Sequence, residues 1–118
     1  MKKFLALLLA LVMALSLFAC GKKDNDSDKA KVKVGFITLH DENSTYDLNF
    51  INAAKAAIKN LGLTDADYIL KTNIPEGQEC YDTACDLAEQ GCNIIFADSF
   101  GHEPFMIDAA KKYPDVQF

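Results

Sequence analysis

VKVGFITL, residues 32–39, is an alternating stretch that becomes continuously apolar towards its end. Such a run is typical of a strand buried in a parallel sheet. Residues 93–97, NIIFA, have the same character, and residues 68–72, YILKT, form another short run. These stretches predict a parallel sheet with flanking helices.

Helices are predicted between the strands. Ser44, followed three residues later by Asp47, resembles a capping box, and apolar residues then recur at helical spacing until Gly62. A second apolar stripe runs from Cys80 and closes at Gly91. Each of these segments therefore predicts one crossover helix.

A third helix is predicted from Pro104, which suits a first helical turn, to about Lys112. Pro114 stops it, and residues 116–118 open a fourth strand. The predicted order is β-α-β-α-β-α-β. Strands alternating with helices imply an α/β fold with right-handed crossovers.

The N-terminus resembles a bacterial lipoprotein signal. Two lysines precede an apolar run, residues 4–19, that is shorter than the roughly 20 apolar residues of a membrane span. The run ends in Leu-Phe-Ala-Cys, which predicts lipidation at Cys20. A plain anchor helix, or cleavage at another position, is the alternative.

The signal and the strand pattern divide the chain into three predicted segments. Residues 1–19 are a signal peptide, residues 20–31 are the lipidated cysteine and a disordered polar tether, and residues 32–118 are a folded α/β segment. The predicted location is the extracytoplasmic face of a bacterial cell membrane, through a lipid anchor. The folded segment is expected to stop early, at its fourth strand.

Charge argues against nucleic acid as a partner. The chain has 12 Lys+Arg, all of them Lys, against 17 Asp+Glu, and its formal net charge is −5. Nucleic-acid binding requires a basic face, so no nucleic-acid partner is predicted.

Polar side chains collect in the loops that follow the strands. In open parallel sheets, ligands bind beyond the carboxyl ends of the strands, at the switch point. Both histidines, His40 and His102, and the loop residues Asn73 and Glu76 also fall at this edge. The predicted ligand-binding residues are Asp41, Tyr46, Asp47, Asp98, Ser99 and Phe100. Solvent exposure alone would also explain polar loops.

Other kinds of site fit the sequence less well. The potential metal ligands lack tight spacing, and there is no glycine-rich phosphate loop or serine nucleophile elbow, so neither a metal, a cofactor nor an enzyme is predicted. Asp41, Glu42 and Asp98 crudely match the acidic layout of a phosphoacceptor receiver domain. An export signal argues against that cytosolic class.

The remaining cysteines are expected to be inert core thiols. Cys80 and Cys85 are five residues apart on a predicted helix, so their side chains diverge by about 140°. Cys92 begins a buried strand. One disulfide, or metal binding, is the alternative.

Three segments together resemble the basic membrane protein (BMP) family. They are residues 34–62 (VGFITLHDENSTYDLNFINAAKAAIKNLG), residues 74–105 (IPEGQECYDTACDLAEQGCNIIFADSFGHEPF) and residues 109–118 (AAKKYPDVQF). The family consists of substrate-binding lipoproteins of ABC importers, with a type I periplasmic-binding-protein fold whose two lobes close on a ligand. The resemblance implies that residues 32–118 are a truncated N-terminal substrate-binding lobe. It also implies a nucleoside-like ligand, and permease and ATPase subunits as partners.

The resemblance also implies roles for individual residues. Tyr46 would stack on the base and Asp47 would supply the polar contact, while Asp41 matches an acidic position of the family. Phe100, between Ser99 and Gly101, would line the other side. A sugar or signalling molecule, bound by an exported sensory or regulatory domain, is the alternative function.

Overall fold

The computed structural model describes residues 31–118, which form a three-stranded parallel sheet with helices on both faces. The predicted signal peptide, Cys20 and all but the last residue of the predicted tether lie outside the described residues. The elements are β1 (Val34–Ile37), α1 (Thr45–Asn60), β2 (Tyr68–Lys71), α2 (Gln78–Glu89), β3 (Ile94–Ala97) and α3 (Glu103–Lys112), with 3-10 turns at Asp65–Asp67 and Phe100–His102.

The strand order is β2-β1-β3, with β1 in the centre and both neighbours parallel to it. The chain therefore leaves β1 towards one side of the sheet and later returns across it to β3. The loops after β1 and β3 diverge from adjacent strand ends. This divergence makes the gap between β1 and β3 a switch point, where open α/β sheets bind ligands.

Two apolar cores sandwich the sheet, because successive side chains of a strand point to opposite faces. Val34 and Phe36 pack with Ala54 and Ile58 of α1 on one face. On the other face, Ile37 joins a cluster with residues of α2 and α3. These two cores confirm the predicted α/β fold, a parallel sheet with flanking helices.

Gly35 allows α2 to approach the sheet closely. A Cβ atom at this position would lie 3.0 Å from Leu87 Cδ1 and 3.1 Å from Ile95 Cγ1. Both neighbouring side chains are fully buried. A larger residue would therefore crowd the centre of the core.

The predicted strands are longer than the observed ones. Strand β1 covers only Val34–Ile37 of the predicted residues 32–39, and just beyond it the Thr38 hydroxyl donates to the His40 carbonyl oxygen at 2.6 Å. The fourth strand is represented by one parallel bridge, between Ile94 and Gln117. The predicted order of elements is confirmed, with this fourth strand reduced to a single bridge.

All three cysteines within residues 31–118 are free and buried, which confirms the interpretation as core thiols. Burial raises the pKa of the Cys80 thiol to about 11 and also raises the pKa of Cys92. At neutral pH these groups are protonated and behave as small apolar side chains.

Within residues 31–118, no helix is long and apolar enough to cross a membrane. The same part of the chain contains no group of three or more His, Cys, Asp or Glu side chains placed to hold a metal ion.

Candidate ligand-binding site

A cavity of about 380 Å³ opens at the switch point, between the loop after β1 and the loop after β3. Five of the six ligand-binding residues predicted from the sequence line it. The lining residues are Leu39, His40, Ser44, Tyr46, Asp47, Asp98, Ser99 and Phe100. The topology of the sheet therefore brings together residues that are up to 61 positions apart along the chain.

Asp47 forms the buried floor of the cavity, in the first turn of α1. Its carboxylate accepts hydrogen bonds from the His40 amide at 2.9 Å and from the Ser44 hydroxyl at 2.5 Å. The Ser44 hydroxyl oxygen also accepts from the Asp47 amide as the N-cap of the helix, which confirms the predicted helix start.

Burial alone would raise the pKa of Asp47, but hydrogen bonds from the Ser44 hydroxyl and the His40 amide outweigh it. The pKa of Asp47 is therefore held well below its usual value of 3.8. Asp47 is ionised at neutral pH. A fixed negative charge consequently lies at the base of the cavity.

Asp98 faces Asp47 from the end of β3. Its Oδ1 accepts a hydrogen bond from the Leu39 amide at 3.1 Å, and its buried Oδ2 has no hydrogen-bond partner within the protein atoms of residues 31–118. Burial raises the pKa of Asp98, and the adjacent Asp47 carboxylate raises it further. A buried oxygen without a protein partner is a candidate acceptor for a hydrogen bond from a ligand or a water molecule.

Two aromatic side chains stand at the rim of the cavity. Tyr46 is 68% exposed and Phe100 is 90% exposed. The Tyr46 hydroxyl donates to the Asp98 carbonyl oxygen at 3.1 Å, which ties α1 to the loop after β3. Exposed aromatic faces above buried carboxylates suit a ligand with a flat ring and polar edges.

Asp41 lies outside the group that lines the cavity. It accepts hydrogen bonds from the backbone amide and the side-chain amide of Asn43, both at 2.9 Å, and from the Asn73 side chain at 3.3 Å. The backbone bond from Asn43, with the bonds from Asn73 and the Asn43 side chain, lowers the pKa of Asp41. In this structure Asp41 stabilises its own loop.

The two histidines have different surroundings. The His40 side chain is largely exposed, and its Nδ1 lies 3.2 Å from Asp47 Oδ2. His102 is fully buried, and its Nε2 lies 2.9 Å from the Ile74 carbonyl oxygen. His102 is therefore not accessible to a ligand, although the sequence places it at the carboxyl edge of the sheet. Its ring instead connects the 3-10 turn after β3 to the loop after β2.

Glu76 was not among the predicted site residues, although it contacts the candidate site directly. It follows β2 and accepts a hydrogen bond from Ser99. This contact spans 23 residues and belongs to no periodic pattern. The only sequence signal for it was its position at the carboxyl edge of the sheet.

No protein-family model matches the sequence. A purine-binding protein of Brucella abortus is 33% identical to the chain over 91 residues, covering 75% of this chain and 25% of the relative. A solute-binding protein of an ABC transporter system from Conexibacter woesei superposes with a TM-score of 0.61 at 17% identity, covering 72% of this chain and 27% of that one. The chain spans about a quarter of the length of these two proteins.

The structural match shows that the chain shares the α/β fold of this solute-binding protein. The sequence match to the purine-binding protein confirms the resemblance predicted from the residues. In sequence and in fold, the chain is similar to the BMP-like substrate-binding proteins of ABC transporters.

Proposed function

We propose that the protein captures a purine nucleoside, or a similar small polar ligand with a flat ring, for an ABC importer. One observation carries the proposal: five of the residues predicted from the sequence line one cavity at the switch point of the sheet. The purine-binding relative supports the same ligand class. The protein is a binding protein in this proposal, not an enzyme.

Each side of the cavity has a role in the proposed complex. Tyr46 and Phe100 flank the ring, and stacking on an aromatic side chain contributes about 1–3 kcal/mol per base. Asp47 and Asp98 accept hydrogen bonds from ring nitrogens or hydroxyl groups. The Ser99 hydroxyl donates to Glu76, so its oxygen remains available as a further acceptor.

Capture in this class requires a second lobe that closes over the ligand. Residues 32–118 supply one wall of such a site, and the cavity they line is open to solvent. We therefore expect this chain alone to bind weakly. Permease and ATPase subunits are the proposed partners, to which the closed complex delivers its ligand.

Calorimetric titration of the full-length gene product with guanosine, adenosine and inosine tests the proposed ligand. We expect saturable heat with at least one of the three nucleosides. Ribose and glucose are the controls, since they have hydroxyl groups but no flat ring for Tyr46 and Phe100. Heat with a sugar and none with any nucleoside would favour the alternative, a sensory or regulatory domain for a sugar.

The proposed membrane attachment depends on Cys20, which lies outside the described residues. Growth with globomycin, an inhibitor of lipoprotein signal peptidase, should cause an unprocessed precursor to accumulate. A Cys20→Ala variant is the control, because it lacks the thiol that carries the lipid. Normal processing in the presence of the inhibitor would disprove the lipid anchor.

A further inference from the structure

The loop that follows β2 is fastened to the 3-10 turn that carries Phe100. Glu76 Oε1 accepts hydrogen bonds from the Ser99 hydroxyl and from the Gly101 backbone amide, the latter at 3.2 Å. These two donors lie on either side of Phe100. The Glu76 carboxylate therefore contacts both neighbours of the exposed ring, through the side chain of Ser99 and the backbone of Gly101.

Gly101 permits this contact because it has no side chain. A Cβ atom built on Gly101 would overlap the Glu76 carboxylate. A second connection, from the buried His102 ring to the Ile74 carbonyl oxygen, joins the same two loops. The loop after β2 thus fixes the turn through contacts on both sides of Gly101.

We propose that Glu76 is a positioning residue for the ligand site, which holds Phe100 in place to stack on the ligand. This inference rests on the proposed function. Phe100 is 90% exposed, so its own packing does little to fix it, and its position depends on the backbone of Ser99 and Gly101. Glu76 itself lies outside the residues that line the cavity.

The physical effect of Glu76 is preorganisation. A turn that is already ordered before the ligand arrives avoids the conformational entropy loss of ordering during binding. A carboxylate that accepts two hydrogen bonds restrains the backbone more strongly than a neutral acceptor, because charge-assisted bonds are stronger. Loss of the acceptor should weaken binding without removing any contact to the ligand.

Three variants of the full-length gene product test the inference: Glu76→Ala, Glu76→Gln, which keeps an acceptor oxygen, and Glu79→Ala as a control. Glu79 is exposed and carries the same charge. We expect Glu76→Ala to weaken guanosine binding about fivefold, and to speed hydrogen exchange of the Gly101 amide with little change in melting temperature. Glu76→Gln should restore most of both properties, and Glu79→Ala should match the wild type.

Unchanged affinity in Glu76→Ala, or equal losses in Glu76→Ala and Glu76→Gln, would overturn the inference. Unchanged affinity in Glu76→Ala would show that Phe100 needs no support from Glu76. Equal losses in Glu76→Ala and Glu76→Gln would show that only the charge of Glu76 matters. If the wild type fails to bind guanosine, the proposed ligand is wrong, but Gly101 exchange still decides whether Glu76 holds the turn. Faster exchange of the Gly101 amide in Glu76→Ala alone supports a restraint of the turn by Glu76. Equal exchange in all variants excludes this restraint.

Discussion

Replacing Asp47 with Ala is expected to lower the free energy of unfolding by about 3 kcal/mol. The substitution removes the buried acceptor of the His40 amide and of the Ser44 hydroxyl. Hydrogen bonds to a charged group contribute about 1.5–3 kcal/mol each, and a donor left buried without a partner adds a further cost. Urea denaturation of the wild type and the variant measures the difference.

A substitution of the exposed Asp65 with Ala is the matched control, because it removes the same charge from the surface. We expect that control to change stability by less than about 0.5 kcal/mol. Equal stabilities of Asp47→Ala and Asp65→Ala would contradict the role of Asp47 as a buried acceptor of hydrogen bonds from His40 and Ser44.

The stability contribution of Asp47 should depend on pH. Because its folded pKa is below its unfolded value of 3.8, this contribution is present above about pH 4 and is lost as the pH falls through the folded pKa. Asp98 has a raised pKa and acts in the opposite sense: its contribution is present below its unfolded value and is lost as the pH rises through its folded pKa. The difference in the free energy of unfolding between the wild type and Asp47→Ala should therefore become smaller below pH 4.

The order of strands and helices could be predicted from the sequence because local residue patterns determine it. Apolar runs specify strands, helical spacing specifies the crossovers, and the Ser44–Asp47 pair specifies the start of α1. The ends of the strands could not be predicted, since they depend on local hydrogen bonds such as that from Thr38 to the His40 carbonyl oxygen.

The candidate site was predicted to the extent that it depends on topology. Strand order alone brings the ends of β1 and β3 together, with Tyr46, Asp47 and Phe100 near them. The contact of Glu76 with Gly101 joins residues 25 positions apart. No periodicity or local motif encodes such a contact, so it required the structure.

In contrast to Glu76, Asp41 has a local structural role that a sequence pattern does indicate. The spacing of Asp41 and Asn43 is that of an Asx turn, in which a side chain satisfies the backbone two residues later. That local pattern is visible in the sequence and explains why Asp41 is occupied by its own loop. The role taken from the family resemblance stays a prediction.

Replacing Phe100 with Ala is expected to weaken nucleoside binding by about fivefold to 150-fold, the range given by the loss of one base–aromatic stack. Since the ring is 90% exposed, the same substitution should leave the melting temperature nearly unchanged. Affinity and stability therefore respond separately at this position. Leu61→Ala is the matched control, because Leu61 is 72% exposed at the other end of α1.

Titration of guanosine into the full-length wild type, Phe100→Ala and Leu61→Ala tests most directly whether the edge between β1 and β3 holds the ligand. We expect saturable binding to the wild type and to Leu61→Ala, with an affinity weaker by about fivefold or more for Phe100→Ala at equal melting temperature. Equal guanosine affinity in all three proteins would contradict it, because the ligand would then bind elsewhere.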